Sequence, residues 1–307
     1  MIQYYNVTAR LKVAMALSMK NIRKSVTYIA ASLAIMSLHA AASAQSPGAQ
    51  NPFFLPASGA AYADIADLVS AAPTIIDVQI RKIRKLPESQ TVGVPPSIQR
   101  AVVEADVISL LRGTNAVAGK VRFLLDIPKD ARGRIPKLKK RRFFAMGRGV
   151  NGRADMIQLI RPDALIEYSQ ANNETVRAIA SEMARTNAPA AIKGIASAFH
   201  NAGTILGEGE TQIFLDTVGG QPFGLSIASQ PGGNKQWSVS TSEVITQTQP
   251  APQRNTLLWY RLACGLPKQL SPGLVGSGDG AHAARAQADF AFVIRSLGPC
   301  GRTRVVR

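Results

Sequence analysis

The sequence predicts an α+β fold: an N-terminal antiparallel β-barrel, a pair of helices, then a small antiparallel sheet with two C-terminal helices joined by a disulfide. Three observations carry this. Five short segments between Thr74 and Tyr168 alternate apolar and polar residues with no helical pattern between them, which argues for an antiparallel barrel or sandwich over a βαβ sheet. Apolar residues then recur at helical spacing within 169–203 and again near the C-terminus. Finally, Cys264 and Cys300 both sit beside helix-stop residues.

In chain order, residues 1–44 read as an export signal. Lys20, Arg23 and Lys24 precede an apolar run from Tyr28 to Leu38, and Ala42-Ser43-Ala44 supplies small residues for cleavage before Gln45. The run is too short to span a bilayer permanently, and Met19 is the expected start of translation. Residues 45–61 form an extended Pro/Gly/Ala/Ser-rich leader. The barrel is expected over 62–168, after a short helix at Ala63–Ser70. Its strands include Ile76/Val78/Ile80, Val103/Ala105/Val107, Val121/Phe123/Leu125/Ile127, Phe143–Met146 and Met156–Ile160.

The helical pair is expected over 169–203. Asn172 or Asn173 caps its first member, with Val176, Ile179, Ala180 and Met183 on one face. Pro189 opens the second, striped by Ile192, Ile195, Ala196 and Phe199 and ended by Asn201-Ala202-Gly203. Residues 204–307 are expected to form the α+β C-terminal part. Three strands (Thr211–Asp216, Phe223–Ala228, Gln236–Ser240) precede a helix capped by Asn255, a Gly/Ser/Pro linker and a last helix lined by Ala286, Phe290, Val293 and Leu297.

Composition narrows the function classes. Cleavage after Ala44 leaves 263 residues with 31 basic and 19 acidic side chains, a net of +12. The expected location is periplasmic or secreted, with no transmembrane span in the mature chain. The expected partners are therefore an anionic envelope component or another exported protein, and not nucleic acid. In an oxidising compartment an even pair of cysteines favours a Cys264–Cys300 disulfide.

The sharpest local anomaly is the run Lys129, Arg132, Arg134, Lys137, Lys139, Lys140, Arg141, Arg142, opposed only by Asp130. Lys137, Lys139, Lys140, Arg141 and Arg142 are the candidate contacts to an anionic surface. The alternative is a solvated hairpin whose charge discourages edge pairing.

The motifs of common enzymes are missing. No Gly-x-Ser-x-Gly elbow occurs, since Gly224-Leu225-Ser226 is followed by Ile227-Ala228. His200 is expected at a helix C-terminus, where the macrodipole favours a cation, and His282 on a solvated linker edge. Two isolated histidines and two oxidised cysteines do not make a zinc site. Gly273, Gly276, Gly278 and Gly280 follow no predicted strand and lack a Gly-Lys-Ser/Thr ending, so they read as a linker. Neither a cofactor nor a metal is expected.

The order Ile75–Ile80, Val102–Gly113, Val121–Pro128, then a Gly/Pro loop into Arg142–Met146, resembles the oligonucleotide/oligosaccharide-binding (OB) barrel of netrin-like and tissue-inhibitor-of-metalloproteinase-like modules. Leu111-Arg112-Gly113 fits the family's Leu-x-Gly turn and Phe143-Phe144-Ala145-Met146 its last strand. The resemblance covers about residues 63–168 and implies an OB-like barrel. It does not carry inhibition over, because the N-terminal cysteine that such inhibitors insert into a protease is absent. Glu210–Leu215 and Leu257–Cys264 are similar to exported proteins of alphaproteobacteria, which imply no activity. The expected function is non-enzymatic binding or envelope interaction, with a hydrolase of unrecognised family or an inhibitor-like module as alternatives.

Overall fold

In the computed structural model, residues 56, 60–114, 116–241, 248–276 and 280–304 are described. The expected export signal and cleavage motif lie outside them. The short helix expected first is α1, Tyr62–Ala71, with Ile65 and Leu68 buried as read. Five strands then follow: β1 (Thr74–Lys85), β2 (Ile98–Arg112), β3 (Lys120–Pro128), β4 (Arg142–Val150) and β5 (Arg153–Leu159). They hydrogen-bond in the order β1-β2-β3-β5-β4, and β4 returns to β1, closing a five-stranded barrel. Its interior is written in period two, with Val121, Phe123, Leu125 and Ile127 all at or below 2 % exposure while Lys120, Arg122 and Leu124 point out. Gly152, at φ +71°, makes the tight turn from β4 to β5. A three-residue strand β6, Leu165–Glu167, adds to β4.

Helix α2 spans Gln170–Met183 and buries Val176 and Ile179. Its cap is Ser169, whose hydroxyl accepts the Asn172 N–H at 3.1 Å. Asn172 itself is buried, and its amide donates to the carbonyls of Pro56 and Glu167 at 2.9 and 2.8 Å. The expected Asn cap is therefore corrected by one turn onset.

The second expected helix does not form. Residues Ile192–Ala202 are strand β7, paired antiparallel with β8 (Gly209–Thr217). With β9 (Gly224–Ser229), β10 (Lys235–Ser240) and the two-residue β11 (Gln249–Pro250) they make a five-stranded sheet where a three-stranded meander is predicted. The cause is visible in the register. Bulges between Ile192 and Gly194 and between Ile195 and Ser197 place Ile192, Ile195 and Ala198 opposite Thr217, Leu215 and Ile213, all buried and on one face. Each bulge adds a residue, so a strand with period two takes on the three-residue spacing of a helix.

Helix α3, Leu257–Gly265, is capped by Thr256, whose hydroxyl accepts the Trp259 N–H, rather than by Asn255. Helix α4, Gly280–Leu297, buries Ala286, Phe290, Val293 and Leu297 as expected, and Asp289 with them. The Cys264–Cys300 disulfide, with Cα atoms 4.9 Å apart, joins the end of α3 to the segment after α4. That segment is tied back to α1: the buried carboxylate of Asp64 accepts the N–H groups of Thr303 and Arg304, and Asp67 accepts Arg302. Both sheets and the four helices found among the described residues belong to one compact unit, Asn51–Arg307. No described helix is long and apolar enough to cross a membrane.

Candidate functional site

The barrel closes through few hydrogen bonds where β3 meets β5. These strands share a single parallel pair, Arg122 with Met156. A groove of about 740 Å³ opens there on the outer face. The β2–β3 register builds one side of it, setting Arg100 opposite Asp126, Val102 opposite Leu124 and Glu104 opposite Arg122. Leu124 is 51 % exposed on the outer strand face. Met156, Ile160 and Pro162 continue the apolar floor.

Four arginines rim this floor: Arg84, Arg100, Arg122 and Arg161. Arg100 makes a two-point contact with Asp126 at 2.6 and 2.7 Å, and that hydrogen bond raises its pKa further. Arg122 pairs with Asp155, whose carboxylate is held at a pKa of about 2, first by Arg153 and then by Arg122. Arg161 bonds Asp163 at 3.2 Å. The exposed Arg84 forms no ion pair with a described residue. The one aromatic residue of the lining, Phe123, is 2 % exposed and faces the barrel interior. The groove thus combines cations with aliphatic surface and offers no ring for stacking a base or a sugar.

The sequence-predicted basic candidates separate into two groups. Lys137, Lys139 and Lys140 are exposed on the β3–β4 loop, which is pinned by the buried Leu138. Arg141 and Arg142 are stitched into the barrel instead. Arg141 pairs with Glu167, while Arg142 pairs with the fully buried Asp77 and lies 3.6 Å over the Tyr168 ring. None of the five lines the groove. Sequence reading missed the groove arginines because they are spread from 84 to 161 and only the barrel register assembles them.

A second cluster sits where α4 crosses the β7–β8 hairpin. His200 is on β7 with its side chain 7 % exposed, not at a helix C-terminus, so the expected capping role is withdrawn. Its Nδ1 lies 2.9 Å from Thr211 Oγ1, and Thr211 is 0 % exposed and donates its hydroxyl proton to Asp289 at 2.5 Å. A hydroxyl has one proton, so Thr211 accepts from His200 and Nδ1 carries the hydrogen. Asp289 is also paired with Lys235. His282, expected on a solvated edge, is half-buried, with its ring centre 5.5 Å from that of His200 and its Nδ1 3.0 Å from the His200 carbonyl. Burial lowers the His200 pKa; Asp289 opposes the shift, while His282, Arg285 and Lys235 add to it.

Both imidazoles, with Glu208 and Arg285, line a pocket of about 460 Å³. One signal for this cluster was legible in the sequence. Asp289 falls on the apolar face of α4 between Ala286 and Val293, and a carboxylate there demands buried partners. No protein-family model matches the chain, and no curated protein matches it.

Proposed function

We propose that this chain is a non-enzymatic binding protein of the cell envelope, whose barrel groove holds an anionic amphiphile. The supporting observation is the pairing, in one groove, of an exposed aliphatic floor at Leu124 with four rimming arginines and no stacking aromatic. Such a surface suits an acyl chain with a phosphate or carboxylate head better than a nucleic acid or neutral glycan. The export signal read in residues 1–44 supports the location. The lysines of the β3–β4 loop are a second, sequence-independent attraction to the same anionic surface.

Flotation with vesicles of anionic or zwitterionic phospholipid tests this. Binding is expected only to the anionic vesicles, weakening with salt. Arg84→Gln, which removes the groove cation that forms no ion pair with a described residue, costs about 1 kcal/mol, roughly 5-fold in affinity, at ~1 kcal/mol per cation. Leu124→Asp abolishes what is left, because it puts a like charge on the apolar floor. Binding that ignores these groove changes but is lost with Lys137→Gln, Lys139→Gln and Lys140→Gln would move the attachment to the loop. Equal affinity for zwitterionic vesicles would end the anionic reading altogether.

The hydrolase alternative draws no support from the His200 cluster. Its hydroxyl partner, Thr211, is fully buried and already committed to Asp289, so it is not placed as a nucleophile.

A further inference from the structure

The strand register gives the barrel groove a direction. Residues directly opposite in an antiparallel pair share one face of the sheet. Arg84 stands opposite Val102, and Val102 opposite Leu124, so the three make one row across the outer faces of β1, β2 and β3. All three line the groove. On β5 the buried Ile157 and Leu159 face the barrel interior, which turns Met156, Gln158 and Ile160 outward to continue the floor. The row therefore begins on a cation and crosses aliphatic side chains to the far wall.

The neighbouring rows are polar, and their arginines are engaged. On one side Arg100 opposes Asp126 and holds it with both arms of its guanidinium. On the other, Arg122 opposes Glu104 and is bonded to Asp155. At the far wall Arg161 is bonded to Asp163. A guanidinium that already faces a carboxylate offers an incoming anion fewer donors and a weaker field. Arg84 is exposed and makes no side-chain hydrogen bond or ion pair with a described residue, so its whole fork is open. The span of the row is also fixed. At about 4.8 Å between strands, three steps from β1 to β5 cover ~14 Å. With C–C bonds of ~1.5 Å a zigzag chain advances ~1.25 Å per carbon, so about 11–12 carbons fill the row.

Building on the binding function proposed above, we infer that the groove takes a single-chain amphiphile with one anionic head, of the fatty-carboxylate type, laid across the strands. Its head sits on Arg84, its chain runs over Val102 and Leu124, and its tail ends against Met156 and Ile160 of β5. One open cation at one end of one aliphatic row selects one charge, one chain and one orientation. Arg84 is the residue that reads the head, and the width of the β1-β2-β3-β5 face sets the chain length.

Calorimetric titration of the full chain with monomeric saturated carboxylates, from hexanoate to hexadecanoate, tests this. One molecule per chain is expected. Affinity should rise about 2-fold per added methylene, because an open groove buries roughly half of a group worth ~0.8 kcal/mol, and should level off near dodecanoate. Dodecanol should bind about 5-fold more weakly than dodecanoate, the effect of one cation at ~1 kcal/mol, and Arg84→Gln should bind the two equally. Dodecanedioate should bind more weakly than dodecanoate, since its second carboxylate lands on the aliphatic end of the row. Dicarboxylate binding tighter than dodecanoate, or a carboxylate preference that survives Arg84→Gln, puts the head elsewhere and overturns the inference. Affinity that keeps climbing to hexadecanoate overturns the crosswise chain. Flotation separates this from the broader binding function: a chain that binds anionic vesicles but no monomeric carboxylate overturns the single-chain ligand alone, and one that binds neither ends both.

Discussion

At the scale of single residues, Arg142 shows how far charge counting falls short. In the sequence it ends a run of cations that reads as an exposed surface. In the fold its guanidinium is shared between a carboxylate at 0 % exposure and the face of Tyr168. Removing the arginine strands Asp77 in a site without water, so Arg142→Met should cost about 3–5 kcal/mol. Asp77→Asn leaves a guanidinium that is itself 35 % exposed and still stacked, and should cost less, about 1–2 kcal/mol. Urea denaturation of both variants checks the asymmetry, and equal losses would contradict it. Tyr260 gives a second residue-scale expectation. Burial, and then its hydrogen bond to Asp67, raises its phenol to about 12 from an ordinary 10.0. The folded state keeps a proton that the unfolded state loses, so this contribution to stability is complete below pH 10 and is lost as pH rises toward 12. Absorbance at 295 nm should show a tyrosine that ionises only near pH 12, in step with unfolding.

At the scale of elements, the strands of the barrel were legible because one face is filled and the other is wet. The alternation in β3 survives almost unbroken from sequence to structure. Strand β7 was not legible, and the reason is geometric. Two bulges within four residues convert period two into spacing of three, and no local signal separates that from an amphipathic turn. Nine cross-strand pairs with β8, which follows after a short loop, decide the matter. The disulfide was legible, since both cysteines follow helix stops. It closes a separation of 36 residues, so Cys264→Ser with Cys300→Ser should lower unfolding free energy by about 3–4 kcal/mol. The measurement is the urea midpoint with and without reductant. A midpoint that reductant does not move would mean that α3, α4 and the tail hold together without the bridge.

At the scale of the whole molecule, the basic composition divides into structural and free charge. Many barrel arginines have carboxylate partners: Arg81 with Asp106, Arg100 with Asp126, Arg122 with Asp155, Arg142 with Asp77. The field presented to a partner therefore comes from fewer cations than the sequence contains, among them Arg84 and the loop lysines. Lys137→Gln, Lys139→Gln and Lys140→Gln together should leave thermal stability almost unchanged, as exposed substitutions do. Adding Arg141→Gln should lower it, because Arg141 is bonded to Glu167. Calorimetry on the triple and quadruple variants distinguishes the two roles.

By itself the sequence determined what periodicity and local chemistry encode: a β-rich first half, the apolar faces of α1, α2 and α4, and the pairing of Cys264 with Cys300. These follow from interactions between near neighbours or from side chains of one reactive kind. Tertiary structure alone decided the barrel closure of β4 on β1, the groove between β3 and β5, and the meeting of the His200–Thr211 pair with Asp289, 78 residues beyond Thr211, and with His282, 82 residues beyond His200. Each of these depends on register between distant segments, which is set by how whole faces bury against one another. No residue carries that information alone.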